Sequence, residues 1–178
     1  MSYENIKERM DTCVKLYDET EDVKYLMEYD SICHFFEGGH ERYEEISKYC
    51  IENGFKKVFD IGCAYGFQSE VFLNKNINYI GIDAGNQNFW NKDKFQYVVN
   101  EYPFKIDAND EDLAISVLCL TWNCYLYEGE TTLRKQCEAL SRDFKNCLLY
   151  MQIDKLNIVK EYFKSYKIIK DNLVFFTS

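Results

Sequence analysis

The sequence predicts an α/β fold: an open, mostly parallel seven-stranded sheet with helices on both faces, preceded by a helical N-terminal segment. Three observations predict it. Apolar residues recur at three- and four-residue steps as far as Asn53-Gly54, and the period changes to that of strands after it. From residue 57 onward short β-type runs alternate with helical stretches, as in a sheet built from strand–helix–strand units. The most apolar run, Ala114 to Leu120 (AISVLCL), reads as a central strand covered on both faces.

The elements follow in order. Ile6, Met10, Cys13, Val14 and Tyr17 share one helical face. Val23, Leu26, Met27 and Ile32 give a second, shorter helix after the acidic stretch Glu19–Asp22. Gly38-Gly39 interrupts. A third helix then runs from about Glu41 to Glu52 with Tyr43, Ile46, Tyr49 and Cys50 inward, and Asn53-Gly54 closes it because glycine readily turns left-handed. Lys57–Ile61 is the first strand, ending in a glycine-containing turn before a helix at Ser69–Leu73. Strands follow at Asn78–Ile82, Phe95–Val99 and Ala114–Leu120, then a helix at Thr131–Phe144 and a strand at Cys147–Met151. Leu156–Tyr166 reads as helix, and Lys167–Lys170 and Leu173–Thr177 as a hairpin turning at Asp171-Asn172.

At 178 residues the chain fits one domain with a sizeable core. One proline and 8 glycines exclude a disordered or linker-rich chain. Its 21 basic against 30 acidic residues, net −9, argue against gripping a nucleic-acid backbone by bulk electrostatics. The acidity is concentrated: residues 1–56 hold 7 basic and 14 acidic residues, net −7. Such acidic helices suit a basic protein partner or self-association. The 8 cysteines contain no Cys-x-x-Cys pair, and the only histidines are His34 and His40. His34, Glu37 and His40 fall within seven residues, but chance placement beside a Gly-Gly turn explains them and no metal site is predicted. No secretory signal opens the chain, and the longest uncharged run, Leu113 to Tyr127, is 15 residues against the ~20 a membrane span needs. A soluble cytoplasmic protein with buried, reduced cysteines is expected.

The string that carries chemistry is VFDIGCAYGFQSEV, followed by YIGIDAG. Ligands of open α/β sheets sit beyond the carboxyl ends of the strands. There the turn after the first strand holds Gly62 and Gly66 with the small Ala64 between them, so the main chain can approach a ligand and its N–H groups can donate to it. Asp83 ends the second strand 21 residues after Gly62, where a carboxylate can accept from both hydroxyls of a ribose. A dinucleotide site favours Gly-x-Gly-x-x-Gly, which this spacing is not. Asp60 at the turn's start would repel a pyrophosphate but suits a ligand bearing an ammonium and a sulfonium. A nicotinamide-dependent oxidoreductase is therefore disfavoured.

DIGCAYG, the strand ending in Asp83 and the closing hairpin resemble class I S-adenosylmethionine-dependent methyltransferases. The resemblance covers residues 41–178, leaving 1–40 as a helical extension, and Ala64 departs from the family's middle glycine. It implies a Rossmann-like sheet and S-adenosyl-L-methionine as cofactor. Asp60, Gly62, Ala64 and Gly66 would shape the methionine side, Asp83 with neighbouring Ala84 would take the ribose, and Asn100 and Glu101 the adenine. The segment before the first strand often lids the cofactor in this family, so His40, Arg42 and Tyr43 become substrate candidates. The acceptor, a small molecule or a protein, is expected past the fourth strand. Trp122 and Tyr125 could wall it and Asn123 or Glu128 orient it, with Asn123 and Tyr125 the catalytic candidates, although in a chain that is 17% aromatic such rings can equally be packing. No Asn-Pro-Pro-Tyr motif accompanies them, which again lowers nucleic acid as substrate. The alternative is a non-catalytic S-adenosylmethionine- or S-adenosylhomocysteine-binding or regulatory protein on the same fold, acting through a protein partner.

Overall fold

Strand alternation decides which side chains meet at the site. In β1 (Lys57–Ile61) Val58 and Asp60 face one side of the sheet, and Phe59 and Ile61 the other. The computed structural model describes residues 3–85, 93–121 and 129–178. The remaining strands are β2 (Asn78–Asp83), β3 (Gln96–Val99), β4 (Leu113–Val117), β5 (Asn146–Tyr150), β6 (Ser165–Lys170) and β7 (Leu173–Thr177). They form one seven-stranded sheet in the order β3-β2-β1-β4-β5-β7-β6. All pairings are parallel except those of β7, which lies antiparallel between β5 and β6. The strand order reverses between β1 and β4, so their carboxyl ends part and leave a crevice.

Each face has its own core. One is covered by α1 (Tyr3–Thr20), α2 (Val23–His34), α3 (His40–Asn53) and α4 (Ser69–Leu73), through buried Cys13, Ile32, Ile46 and Phe72. The other carries α5 (Glu130–Asp143) and the short α6 (Leu156–Val159), through Leu133, Leu140 and Ile158. Gly54, at φ +78°, closes α3 by donating to the Cys50 and Ile51 carbonyls. Residues 100–112 cross from β3 to β4 without a helix. Among the described residues no helix is long and apolar enough to cross a membrane.

Four expectations need correction. α1 turns Cys13 inward but leaves Val14 exposed. α2 buries Glu28 and Ile32, whereas Val23, Leu26 and Met27 are exposed. The cause is an ion pair: Arg9 on α1 donates twice to Glu28, at 2.6 and 2.7 Å, which draws a charged position to the inner face. The fourth strand stops at Val117 because Leu118 adopts φ +63° and starts a helical turn instead. The helix expected over 156–166 ends at Val159, a tight turn carries the chain to Tyr162, and Ser165 pairs with Thr177 at the start of β6.

The Arg9–Glu28 pair yields a stability prediction. Arg9→Met strands a carboxylate that is 5% exposed and should cost about 2 kcal/mol in urea unfolding. Adding Glu28→Leu should recover most of it, since an apolar pair needs no partner.

Candidate functional site

The turn after β1 is built from three left-handed residues, Gly62 (φ +80°), Ala64 (+47°) and Gly66 (+74°). It folds the chain back onto the end of β2. The N–H groups of Gly62 and Cys63 donate to the Ile82 carbonyl at 2.8 and 3.1 Å, and that of Gly66 to Cys63 at 2.9 Å. The Ala64 N–H donates to Asp83 Oδ2 at 2.9 Å, and Gly85 supplies Oδ1 with another N–H at 2.9 Å. Four of the five N–H groups of the turn are thus spent within the protein, contrary to the expectation that they would serve a ligand; Ile82 and Asp83 of the neighbouring strand lie closer. A pyrophosphate cradle needs such donors, so the geometry weighs further against a dinucleotide.

The glycines also make room for the protein's own side chains. A Cβ at Gly62 would lie 2.0 Å from the Cys119 sulfur, and one at Gly66 would lie 2.6 Å from the Phe95 ring. Cys119 therefore rests directly on the turn.

Asp60 lies behind the turn, fully buried. Its Oδ2 accepts from Tyr79 Oη and from Gln68 Nε2, both at 2.6 Å, and Gln68 also donates to the Cys63 carbonyl at 3.0 Å. Among the described residues Oδ1 accepts no hydrogen bond of normal geometry, although Tyr43 on α3 stands close enough to stabilise the charge. Burial, reinforced by the charge of Asp83, pushes the carboxyl up to about 6 against the bonds from Gln68, Tyr79 and Tyr43. Burial likewise raises the Cys63 thiol, which packs against Gly81 as an inert apolar group.

Two cavities open at the carboxyl ends of the strands. The first, about 690 Å³, is lined by Gly62, Asp83, Ala84, Asn100 and Glu101, together with Leu120 and, from α5, Gln136. The second, about 570 Å³, is lined by Gly62, Ala64, Tyr43, Arg42, His34 and Glu37 among others. Among the described residues only Gly62 and Cys119 line both. Most of the cofactor candidates named from sequence thus converge on one crevice. Asp60 and Gly66 contribute to neither lining, the first being buried behind the turn and the second covered by Phe95. His40 stays outside both, stacked edge-on against Phe35 and within 3.9 Å of Glu44. Trp122, Asn123, Tyr125 and Glu128 lie outside the described residues.

Sequence reasoning missed Gln68, Tyr79, Cys119 and Gln136. Tyr79 carries a signal in hindsight: a tyrosine two places before Gly81 in a buried strand needs a polar partner, and the Asp60 carboxylate is the one within its reach. Cys119 is one of 8 cysteines and nothing in its spacing singles it out.

The overall fold is shared with known structures. No protein-family model and no curated protein sequence matches the chain. Solved structures do. Magnesium protoporphyrin IX methyltransferase (ChlM) from Synechocystis PCC 6803, with bound SAM, superposes at TM-score 0.62 and 12% identity, over 79% of this chain and 80% of that one. The fold is that of a class I methyltransferase. The N-methyltransferase NodS from Bradyrhizobium japonicum WM9, in complex with S-adenosyl-L-homocysteine, matches this methyltransferase fold at TM-score 0.56 and 13% identity, over 78% and 86% of the two chains. WbdD, a bifunctional kinase-methyltransferase, matches at TM-score 0.60 and 18% identity over 77% of this chain, which spans 40% of the WbdD chain.

Proposed function

We propose that the chain binds S-adenosyl-L-methionine and transfers its methyl group to a small-molecule or protein acceptor by in-line displacement. The observation that carries this reading is the pair of cavities meeting at Gly62 and Cys119, with a half-buried carboxylate in one and a guanidinium in the other. Their volumes fall within the range of small-molecule sites.

The residues present fit such a cofactor. Asp83 lines the first cavity, its carboxylate oriented by two backbone N–H groups, and a carboxylate can accept from both hydroxyls of a ribose. Ile61, Ile82 and Leu120 offer an apolar slot for a flat base. In the second cavity Arg42 lies over the Tyr150 ring at 4.9 Å, and among the described residues no carboxylate pairs with it, which suits it to an amino-acid carboxylate. Asp60, buried behind the turn beside Tyr43 of the second cavity's lining, adds negative charge to that side of the site, which favours a ligand's ammonium.

The bound cofactor supplies a methyl group already activated on a sulfonium. What remains for the protein is to align it with the acceptor and keep water out. Phe35, Tyr43, Tyr65 and Phe67 give the second cavity aromatic walls, and Ser31, His34 and Glu37 at the bend between α2 and α3 form its polar rim, the side from which an acceptor enters. Trp122, Asn123 and Tyr125 remain acceptor candidates by their place after β4.

Asp83→Ala should weaken S-adenosylhomocysteine binding at least tenfold in calorimetry, through loss of one or two charge-assisted bonds of ~1.5–3 kcal/mol each. Unchanged affinity would refute the ribose role. Methyl transfer measured across an acceptor panel then separates an enzyme from a protein that only binds.

A further inference from the structure

α2 inverts the ordinary amphipathic arrangement. Glu28 is buried on its inner face, held there by Arg9, while Val23 is 59%, Leu26 39% and Met27 60% exposed. An apolar pair can replace a buried ion pair at little cost to stability, so folding alone does not call for this polarity. Val23 stands three and four residues before Leu26 and Met27, these stand four and three before Asp30, and His34 follows four later, so all five share one face of the helix. The apolar end of that stripe begins at the turn from α1. Its polar end, where Asp30 lies 3.5 Å from His34, reaches the rim of the second cavity, which Ser31, His34 and Glu37 line. A contiguous exposed apolar stripe with a polar border marks a surface that another molecule covers.

The charges around the stripe decide which molecule. Residues 18–37 hold 7 acidic residues, with Lys24 their only lysine or arginine. Lys24 already pairs with Asp22 at 2.6 Å. Asp18, Glu19 and Glu21 are exposed at the apolar end and Asp30 and Glu37 toward the other, so carboxylates stand at both ends of the stripe. A second copy of the chain would bring the same carboxylates against these, and like charges oppose that pairing. A helix with apolar residues at the same steps, flanked by Lys and Arg, matches both the stripe and its border. We infer that the outer face of α2 docks a basic amphipathic helix of a partner protein, laid along Val23, Leu26 and Met27 so that it ends at the mouth of the second cavity. The inference goes beyond the adenosyl reading and does not depend on what the cavities bind.

Fluorescence anisotropy with a labelled model helix of leucine and lysine, its leucines at three- and four-residue steps, tests this. A peptide of the same composition in scrambled order lacks the apolar face and should bind at least tenfold more weakly. That comparison uses the unaltered chain and stands whether or not a variant folds. Leu26→Ser combined with Met27→Ser, both at exposed positions, should weaken binding of the model helix at least tenfold, whereas Ile168→Ser, at an exposed apolar position on β6, should leave it unchanged. Glu21→Gln combined with Asp30→Asn removes one charge from each end and should weaken binding about threefold at low salt, a difference that closes as salt approaches ~1 M. Equal binding of the two peptides, or binding that Leu26→Ser with Met27→Ser leaves unmoved, would overturn the inference. So would a dimer in sedimentation velocity that the same two substitutions dissolve, since a second copy would then occupy the face.

Discussion

Gly62→Ala should destabilise the chain by about 3 kcal/mol or more, the largest effect expected of any single methyl group added to it. Two causes add. The new Cβ would sit 2.0 Å from the Cys119 sulfur and 2.4 Å from its Cβ, so the turn that follows β4 must move. Overpacking of that kind costs ~1–3 kcal/mol. The left-handed backbone at φ +80° adds ~1–2 kcal/mol for any residue with a Cβ. Cys119→Gly in the same chain removes the clash and should restore all but the backbone part. A double-mutant cycle by urea unfolding should therefore show coupling of about 1–3 kcal/mol between positions 62 and 119. Coupling near zero would mean that Cys119 does not rest on the turn.

Asp60→Asn should have the opposite sign, raising stability near neutral pH while weakening cofactor binding. The carboxyl's pKa rises from 3.8 to about 6 on folding, roughly two units, or about 3 kcal/mol. A raised acid binds its proton more tightly in the folded chain, so its contribution to stability grows as pH falls through 6 and levels off below 3.8. Above pH 6 the buried charge is a burden. Asparagine keeps an acceptor for Tyr79 and Gln68 and carries no charge. Urea unfolding at pH 8 should show the variant more stable by ~1–3 kcal/mol, with the gain fading between pH 6 and pH 4. Affinity for S-adenosylhomocysteine should fall, as expected where a strained group is retained for binding. A variant less stable than the parent at pH 8 would show that the carboxylate is well solvated by its neighbours.

The architecture was legible because the period of the apolar residues changes at Gly54 and because turns carry their own chemistry. Asp171-Asn172 and Asn53-Gly54 each end an element where expected. Asp83, Ala84, Asn100 and Glu101 could be placed at one crevice because each stands at or near the carboxyl end of a parallel strand, a matter of topology and not of side-chain detail. What sequence could not reveal depends on contacts far apart in the chain. Glu28 turns inward for Arg9, 19 residues away. The hydroxyl that satisfies buried Asp60 comes from Tyr79 on the next strand, also 19 residues away. Leu118 leaves the sheet although its neighbours read as strand, since nothing in a leucine foretells a positive φ. The turn glycines were singled out for a ligand's approach, yet one reason for their smallness lies in Cys119 and Phe95, which no local pattern connects to them.

The central claim is that one adenosyl amino acid spans both cavities across the Gly62–Cys119 junction. A crystal structure of the chain with S-adenosylhomocysteine tests it most directly. The ribose hydroxyls should lie on Asp83, the base between Ile82 and Leu120, and the amino-acid end beside Arg42. A ligand found elsewhere, or a crevice that Cys119 keeps sealed over Gly62 at saturating ligand, would contradict the account.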